Sequence, residues 1–428
     1  MSSKKKVLII TYYWPPAGGS GVQRWLKFVK YLRDFNIEPV IYTVDNPSYP
    51  ILDKSLESEI PKGLEILKQP IFEPNSILSF FGNKKKKESA GFLNPNPMFF
   101  GKIVQYIRAN YFIPDARKFW IKPSIKFLSN YLKNNKIDAI ITTGPPHSMH
   151  KIGLALKEKF AIKWISDFRD PWTEIDYFKQ LPLTKKAKKK HHQLEQEVLE
   201  KSDMVIVVGE TMRKKFYKHN HNIDVLTNGF DSYENSLTKE LDSNFSITHV
   251  GLMNADRNPA ILWEVLHEIS NQNIDFKNDL SIKLIGKIDE TVIQDIQVFN
   301  PKNIVRIPYL EHEEVRKYQE SSQVLLLSIN QVPSAKGIIT GKIFEYLQAK
   351  RPILCIGPED GDAAAILKKT NAGIIVGFDH KNKLKATILK LYKDFKEEKL
   401  VVKSINIEQY HRKNITSQLA EVIKKVVS

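Results

Sequence analysis

Two short apolar runs, Gln323–Ile329 and Pro352–Gly357, bracket a glycine-containing loop and an amphipathic stretch over Lys342–Ala349. Runs of this length, bounded by turn residues, read as buried strands. Ile343, Phe344 and Leu347 give the stretch between them one apolar face, so it is a helix, and Thr340 is placed to cap it. A strand–loop–helix–strand unit with a polar helix start follows. The first backbone N–H groups of such a helix have no partner within it, and its dipole favours an anion, so a phosphate-bearing ligand is the natural occupant. Glu345, one turn in, suits two adjacent hydroxyls such as those of a ribose; Lys336 and Lys342 suit a diphosphate. The plainer alternative is a first-turn Glu that complements the dipole and lysines that are solvated.

The same alternation runs through the chain. Lys6–Thr11 is a buried-type strand, the loop YYWPPAGGSG follows, and Val22, Trp25, Leu26, Val29 and Leu32 recur at helical spacing up to Phe35. Glu38–Thr43 is the next strand. A strand, a glycine-rich turn and a helix open a Rossmann-like domain, but the loop is not GxGxxG, so no nicotinamide dinucleotide is signalled. Gly18, Gly19 and Gly21 let a backbone come close to a ligand, or simply make a tight turn. Residues 47–135 read as an irregular insertion with the lysine run Lys84–Lys87 and many aromatics, among them Phe80, Phe81, Phe92, Phe99, Phe100 and Trp120. Basic residues mixed with aromatics suit an anionic membrane interface or a lipid-linked acceptor, and equally a small insertion core with a solvated loop.

Asp138–Thr142 and Lys163–Ser166 are two further strands. The first runs into GPPHSMH and the second into DFRDPW, so neighbouring strand ends present His147 and the carboxylates Asp167 and Asp170, with Arg169 between them. Open α/β sheets place ligands at such ends. Lys185–Lys190 opens a long helix to Lys201, and Asn228–Asp231 closes the first domain. A polar linker precedes Ser246–Val250, after which strands and amphipathic helices alternate again. This is a second doubly wound parallel sheet. Ile407–Val427 is a terminal helix.

Length, at 428 residues, allows two domains, and 65 Lys+Arg against 48 Asp+Glu, a formal charge of +17, implies acidic partners. The single cysteine, Cys355, excludes an internal disulfide, suits a reducing compartment and lies in an apolar strand as a core residue. No signal peptide is legible, and no apolar run approaches the ~20 residues that cross a bilayer. No RRM, KH or zinc-finger pattern points to a specific nucleic acid. Asp360-Gly361-Asp362 reads as a turn with Asp362 capping the next helix. No metal site and no cofactor are expected.

GKIFEYLQAKRPILCIGPEDGDAAAIL, together with GPPHS, DFRDPW and NGFD, resembles the GT-B glycosyltransferases, especially the family 4 group. The resemblance covers nearly the whole chain and is weakest over 47–135. It implies an α/β chain of two Rossmann-like, doubly wound domains facing a central cleft: residues 1–230 on the acceptor side, 231–404 holding a nucleotide-sugar donor, and 405–428 as a helix crossing back to the first domain. It implies transfer of a sugar to a glycan or lipid-linked acceptor, with retention and without metal, in the cytoplasm or at the inner face of the membrane, in polysaccharide biosynthesis. His147 and Asp170 would be catalytic, contacting the donor sugar and the acceptor hydroxyl. Gly18, Gly19, Arg257, Gly341, Lys342 and Glu345 would bind donor, and Asp167 and Arg169 would lie on the acceptor side. In PYL, after Ile307, relatives place the nucleobase. The chain departs from the family's Glu-x7-Glu motif: Glu345 matches the second Glu, but Gly337 stands where the first would be. Leu252 and Met253 stand where relatives carry a phosphate-binding Arg. Two alternatives remain at this level: a sugar-nucleotide epimerase of the same architecture, or a degenerate, non-catalytic module that binds polyanions or membranes.

Overall fold

The computed structural model describes residues 4–73, 99–231, 240–299, 301–308, 310 and 312–428. The expectations for Lys84–Lys87, Phe80, Phe81, Phe92, Tyr309 and the middle of the linker after Asp231 lie outside the described residues, as do the side chains of Phe99 and Phe100. The chain forms two compact units, 4–228 with Arg412–Ser428, and Gly229–His411.

In the first unit the elements run β1 (Lys5–Ile10), α1 (Ser20–Leu32), β2 (Ile37–Val44), β3 (Glu65–Gln69), α2 (Phe99–Tyr111), α3 (Lys118–Asn134), β4 (Ala139–Gly144), α4 (Ser148–Phe160), β5 (Lys163–Phe168), α5 (Lys185–Lys201), β6 (Met204–Val207), α6 (Glu210–Phe216) and β7 (Ile223–Val225). The seven strands are parallel in the order β3-β2-β1-β4-β5-β6-β7. The expectation that 47–135 is irregular is corrected. Its described part supplies an edge strand and two helices. They were hard to read because β3 is short and only half-buried, and because α3 carries Pro123 inside the helix.

The strands are buried on both faces, and side-chain alternation divides the core. Val7, Ile9 and Ile141 face Trp25, Leu26 and Val29 of α1, while Leu8, Ile10 and Ile140 face α3 and α4 through residues such as Trp120 and Ile152. The last helix of the chain joins the α1 side through Ile415, Leu419 and Ile423.

The second unit continues with β8 (Phe245–Val250), α7 (Ala260–Gln272), α8 (Ile274–Asp279), β9 (Leu280–Ile285), α9 (Glu290–Ile296), β10 (Ile304–Ile307), α10 (His312–Ser321), β11 (Val324–Ser328), α11 (Lys342–Ala349), β12 (Ile353–Ile356), α12 (Asp362–Thr370), β13 (Gly373–Val376) and α13 (Lys381–Lys396); α14 (Arg412–Val427) then returns to the first unit. Its six parallel strands lie in the order β10-β9-β8-β11-β12-β13. Cys355 sits in this core, where burial pushes its thiol up to about 12 and leaves it unreactive at neutral pH.

Both sheets reverse direction at one place: between β1 and β4 in the first unit, and between β8 and β11 in the second. Chain connections leave to opposite sides there, opening a crevice at the strands' carboxyl ends, which is where open α/β sheets bind ligands. The sequence-derived candidates follow those strands: Gly18 and Gly19 after β1, His147 after β4, Arg257 after β8, and Gly341, Lys342 and Glu345 after β11. Asp167, Arg169 and Asp170 are at the end of β5, next to β4.

Candidate functional site

After β1 the two candidate glycines differ in kind. Gly18 donates its N–H to Ile51 O (2.9 Å), and a Cβ there would lie 2.8 Å from the Ile51 side chain, so its missing side chain is needed by the 51–53 segment. Gly19 has φ 89°, a left-handed value that favours glycine, and open space where a Cβ would point. It precedes α1, whose N-terminus has no side-chain cap.

His147 ends the loop after β4, nearly fully buried. Its ring stacks on the Trp172 indole at 4.6 Å and 2°, and its Nδ1 has no hydrogen-bond partner among the described residues. The helix that starts at Ser148 is held by Asp115, which accepts from Ser148 N and Oγ at 2.8 Å each. Burial drives the His147 imidazole well below the usual range, and the neighbouring imidazole and guanidinium groups add to this, so it is neutral.

A second histidine lies beside it. The Trp164 indole can only donate, and gives its N–H to Thr142 Oγ1 (2.9 Å). Thr142 Oγ1 also lies within hydrogen-bond distance of His150 Nδ1 (2.8 Å). Burial pushes His150 down to about 3, so it is neutral. Its Nε2 and His147 Nδ1 converge on Gly144: a Cβ there would lie 2.6 and 2.9 Å from them. Neither of these two ring nitrogens has a hydrogen-bond partner among the described residues. This arrangement was not read from the sequence, where His150 stands as one more residue of the GPPHSMH loop.

The DFRDPW segment divides its labour. Asp167 is fully buried and accepts from Arg24 Nη2 (2.9 Å), Trp25 Nε1 (2.7 Å) and Thr143 Oγ1 (2.8 Å). Burial alone would raise its pKa, but the Arg24 guanidinium and these hydrogen bonds hold it below the usual carboxylate range. Its acceptor capacity is used internally, so the expectation of an acceptor-side role for Asp167 is corrected to a buried ion pair. Arg24 was missed because it sits within the apolar periodicity of α1. Arg169 donates to the carbonyls of Gly21 (2.7 Å) and Pro145, pinning the glycine loop to the loop before His147. It is a positioning residue. Asp170 is the exposed carboxylate of the motif.

Trp172, the wall behind His147, is fixed from α5. Its indole donates to His191 Nδ1 (3.1 Å), and Glu195 accepts from the backbone N–H groups of Trp172 and Thr173. Burial lowers His191 to about 4. The helix of the second lysine run thus carries a buried support on its inner face.

In the second unit β8 ends in Gly251 (φ 93°), which packs against Gly286 (φ 113°) beyond β9. The Lys342 side chain runs beneath Gly251, and its Nζ donates to His249 Nε2 (3.0 Å) and Leu252 O (3.1 Å). Arg257 donates to the same carbonyl (2.9 Å) and to Asn330 Oδ1 (2.9 Å). Burial lowers the pKa of both cations, Lys342 well below its ordinary value, and the Arg257 guanidinium lowers Lys342 further. Among the described residues no carboxylate forms an ion pair with either. Gly341 caps α11 in ordinary helical geometry with open space over its Cα, and Thr340 Oγ1 accepts from Lys342 N (3.3 Å). Glu345 is half-buried one turn on and accepts from Gln319 Nε2 (3.1 Å). Lys336, by contrast, pairs with Asp360 on the surface (2.6 Å), and Asp362 lies in the first turn of α12 behind Gly361, which takes the capping position. His249 was not singled out in the sequence; it is the penultimate residue of an apolar strand, and burial keeps it neutral and able to accept from Lys342. Two cations thus share one carbonyl beside the N-terminus of α11, an arrangement that suits a polyvalent anion.

No family model matches the chain, and no curated protein matches its sequence. Solved structures do. Anabaena HepE in complex with UDP-glucose matches with a TM-score of 0.61 at 12% identity, covering 98% of this chain and 99% of its own. Sucrose-phosphate synthase from Thermosynechococcus elongatus matches at 0.62 and 12%, covering 98% of each chain. A Listeria monocytogenes protein described as a UDP-N-acetylglucosamine 2-epimerase matches at 0.56 and 12%, covering 99% of this chain and 96% of its own. At these identities the likeness is one of fold. The chain has the GT-B fold of nucleotide-sugar glycosyltransferases, shared with some epimerases. No helix among the described residues is long and apolar enough to cross a membrane.

Proposed function

We propose that this chain moves a sugar from a nucleoside-diphosphate sugar to an acceptor hydroxyl. The observation that carries the reading is the Lys342–Arg257 pair at the start of α11, two half-buried cations with no carboxylate ion pair among the described residues. A diphosphate supplies the missing charge. As the glycosidic bond breaks, negative charge grows on the leaving diphosphate, and these fixed donors stabilise it. Glu345 accepts from the ribose hydroxyls, and Gly19 and Gly341 leave room for the ligand. His147, a neutral imidazole, hydrogen-bonds a sugar hydroxyl, and Asp170 orients the acceptor. Retention of configuration, independence of metal and a glycan or lipid-linked acceptor belong to this reading through the resemblance of GPPHS, DFRDPW and the α11 segment.

The test separates binding from transfer. Lys342→Ala and Glu345→Ala each weaken nucleoside-diphosphate binding about 10-fold or more by calorimetry, the scale of one charge-assisted hydrogen bond. His147→Ala lowers turnover by about 100-fold with donor affinity nearly kept, as expected for a contact that strengthens in the transition state. Unchanged affinity in both binding variants removes the diphosphate from α11. Equal losses of affinity and turnover in His147→Ala remove its transfer-specific role. An epimerase is the second reading, favoured by the fold shared with the Listeria protein. It requires isomerisation of the nucleotide sugar with no acceptor present.

A further inference from the structure

We infer that α2 and the start of α5 form a docking face for an anionic lipid bilayer. α2 is turned inside out for a soluble helix. Ile103, Ile107 and Tyr111, four residues apart along one stripe, are 41%, 44% and 66% exposed, with Val104 and Tyr106 exposed beside them, while Ala109 is buried. The stripe continues into the exposed rings of Phe119 and Phe72 and the half-buried Phe112: Phe112 meets Phe119, Phe119 meets Phe72, and Lys118 lies over the rings of Phe112 and Phe119 at 5.3 and 5.1 Å.

The charge around this apolar stripe is mostly basic. Between residues 99 and 136 there are eight lysines and arginines and one acid, Asp115, which is taken up by Ser148; of the eight, Arg117 is paired with the buried carboxylate of Glu73. The carboxyl end of α2 is tied to the start of α5: Asn110 Nδ2 donates to Pro182 O (2.8 Å) and Asn110 Oδ1 accepts from Thr184 N (2.7 Å). There Lys185, Lys186, Lys188, Lys189 and Lys190 are all exposed, and none pairs with a carboxylate among the described residues. An apolar stripe with tyrosines at its edge and unpaired lysines beside it matches a bilayer surface: acyl chains accept the isoleucines, the interface accepts the tyrosines, and anionic headgroups neutralise the lysines. The inference is independent of the sugar-transfer reading, and its test needs no nucleotide.

The full chain is sedimented with phosphatidylcholine vesicles, with and without phosphatidylglycerol, at low and high salt. It binds the phosphatidylglycerol vesicles, more weakly at high salt. Ile103→Asp with Ile107→Asp lowers the affinity at least about 10-fold, the cost of placing two charges in the interface. Lys185→Gln, Lys188→Gln and Lys189→Gln together lower it about 10-fold or more and flatten the salt dependence. All five positions are exposed, so thermal midpoints stay near the parent's. As a second measurement that needs no loss of function, Ile107→Trp fluoresces and is quenched by brominated lipids in bound vesicles. No binding to anionic vesicles, binding that ignores either set of changes, or an unquenched Trp overturns the inference. Loss with the lysine changes alone marks a polyanion surface instead and also overturns it.

Discussion

Replacing Asp167 with Ala lowers the stability of the first unit by about 3–5 kcal/mol, the cost of removing one partner from a buried ion pair. Asp167 is completely buried and takes hydrogen bonds from Arg24, Trp25 and Thr143. Arg24, itself buried, also donates to Thr227 O (3.0 Å) and Asn228 Oδ1 (3.2 Å) where the chain leaves the unit. Without the carboxylate, the guanidinium remains desolvated with only neutral acceptors, and α1 loses its tie to β4 and β5. Arg24→Met combined with Asp167→Leu recovers much of the loss, because it removes both charges rather than one. Urea unfolding of the single and double variants measures this. A loss under about 1 kcal/mol in Asp167→Ala, with transfer strongly reduced, returns Asp167 to the acceptor side.

The second large effect is acid sensitivity. His147, His150 and His191 are buried and neutral, His150 pushed down to about 3 and His191 to about 4, in each case first by burial. In the unfolded chain an imidazole takes up a proton near pH 6.5. Below that value the unfolded state binds more protons than the folded one, so stability is fully present above about pH 6.5 and falls as pH falls. Each such histidine loses about 1.4 kcal/mol per pH unit, and three together remove about 2–4 kcal/mol between roughly pH 7 and pH 5.5. The decline runs on toward the folded-state values near pH 4 and 3. Denaturant unfolding across this range checks it, with His150→Gln predicted to reduce the slope. A flat stability profile from pH 7 to 5.5 contradicts the neutral, buried state of these histidines.

The parts of the fold that could be read from the sequence are those governed by local pattern. Lys6–Thr11, Asp138–Thr142 and Ser246–Val250 read as strands because parallel strands covered on both faces are continuous apolar runs. The strand-end motifs were legible for the same reason: polar residues appear abruptly where such a run stops, and the switch points bring those ends together. Partnerships across the sheet were not legible. Asp167 reads like Asp170 in sequence, three residues away, yet one is sealed under α1 and the other is exposed, because the strand ends between them. Arg24 and His249 are single polar residues inside apolar patterns, and their partners lie 143 and 93 residues away. The helices of residues 99–134 were missed because α2 presents its apolar stripe to solvent, the reverse of the pattern that marks a packed helix, and α3 contains a proline.

The central claim is that the second unit holds a nucleoside diphosphate at Lys342, Arg257 and Glu345. It is tested most directly by a thermal-shift titration of the full chain with UDP, GDP, ADP and dTDP in the presence of EDTA. Saturable stabilisation by one of them is the predicted result: a ligand at about 100 times its Kd adds about 2.7 kcal/mol to the folded state. No stabilisation by any of the four contradicts the account.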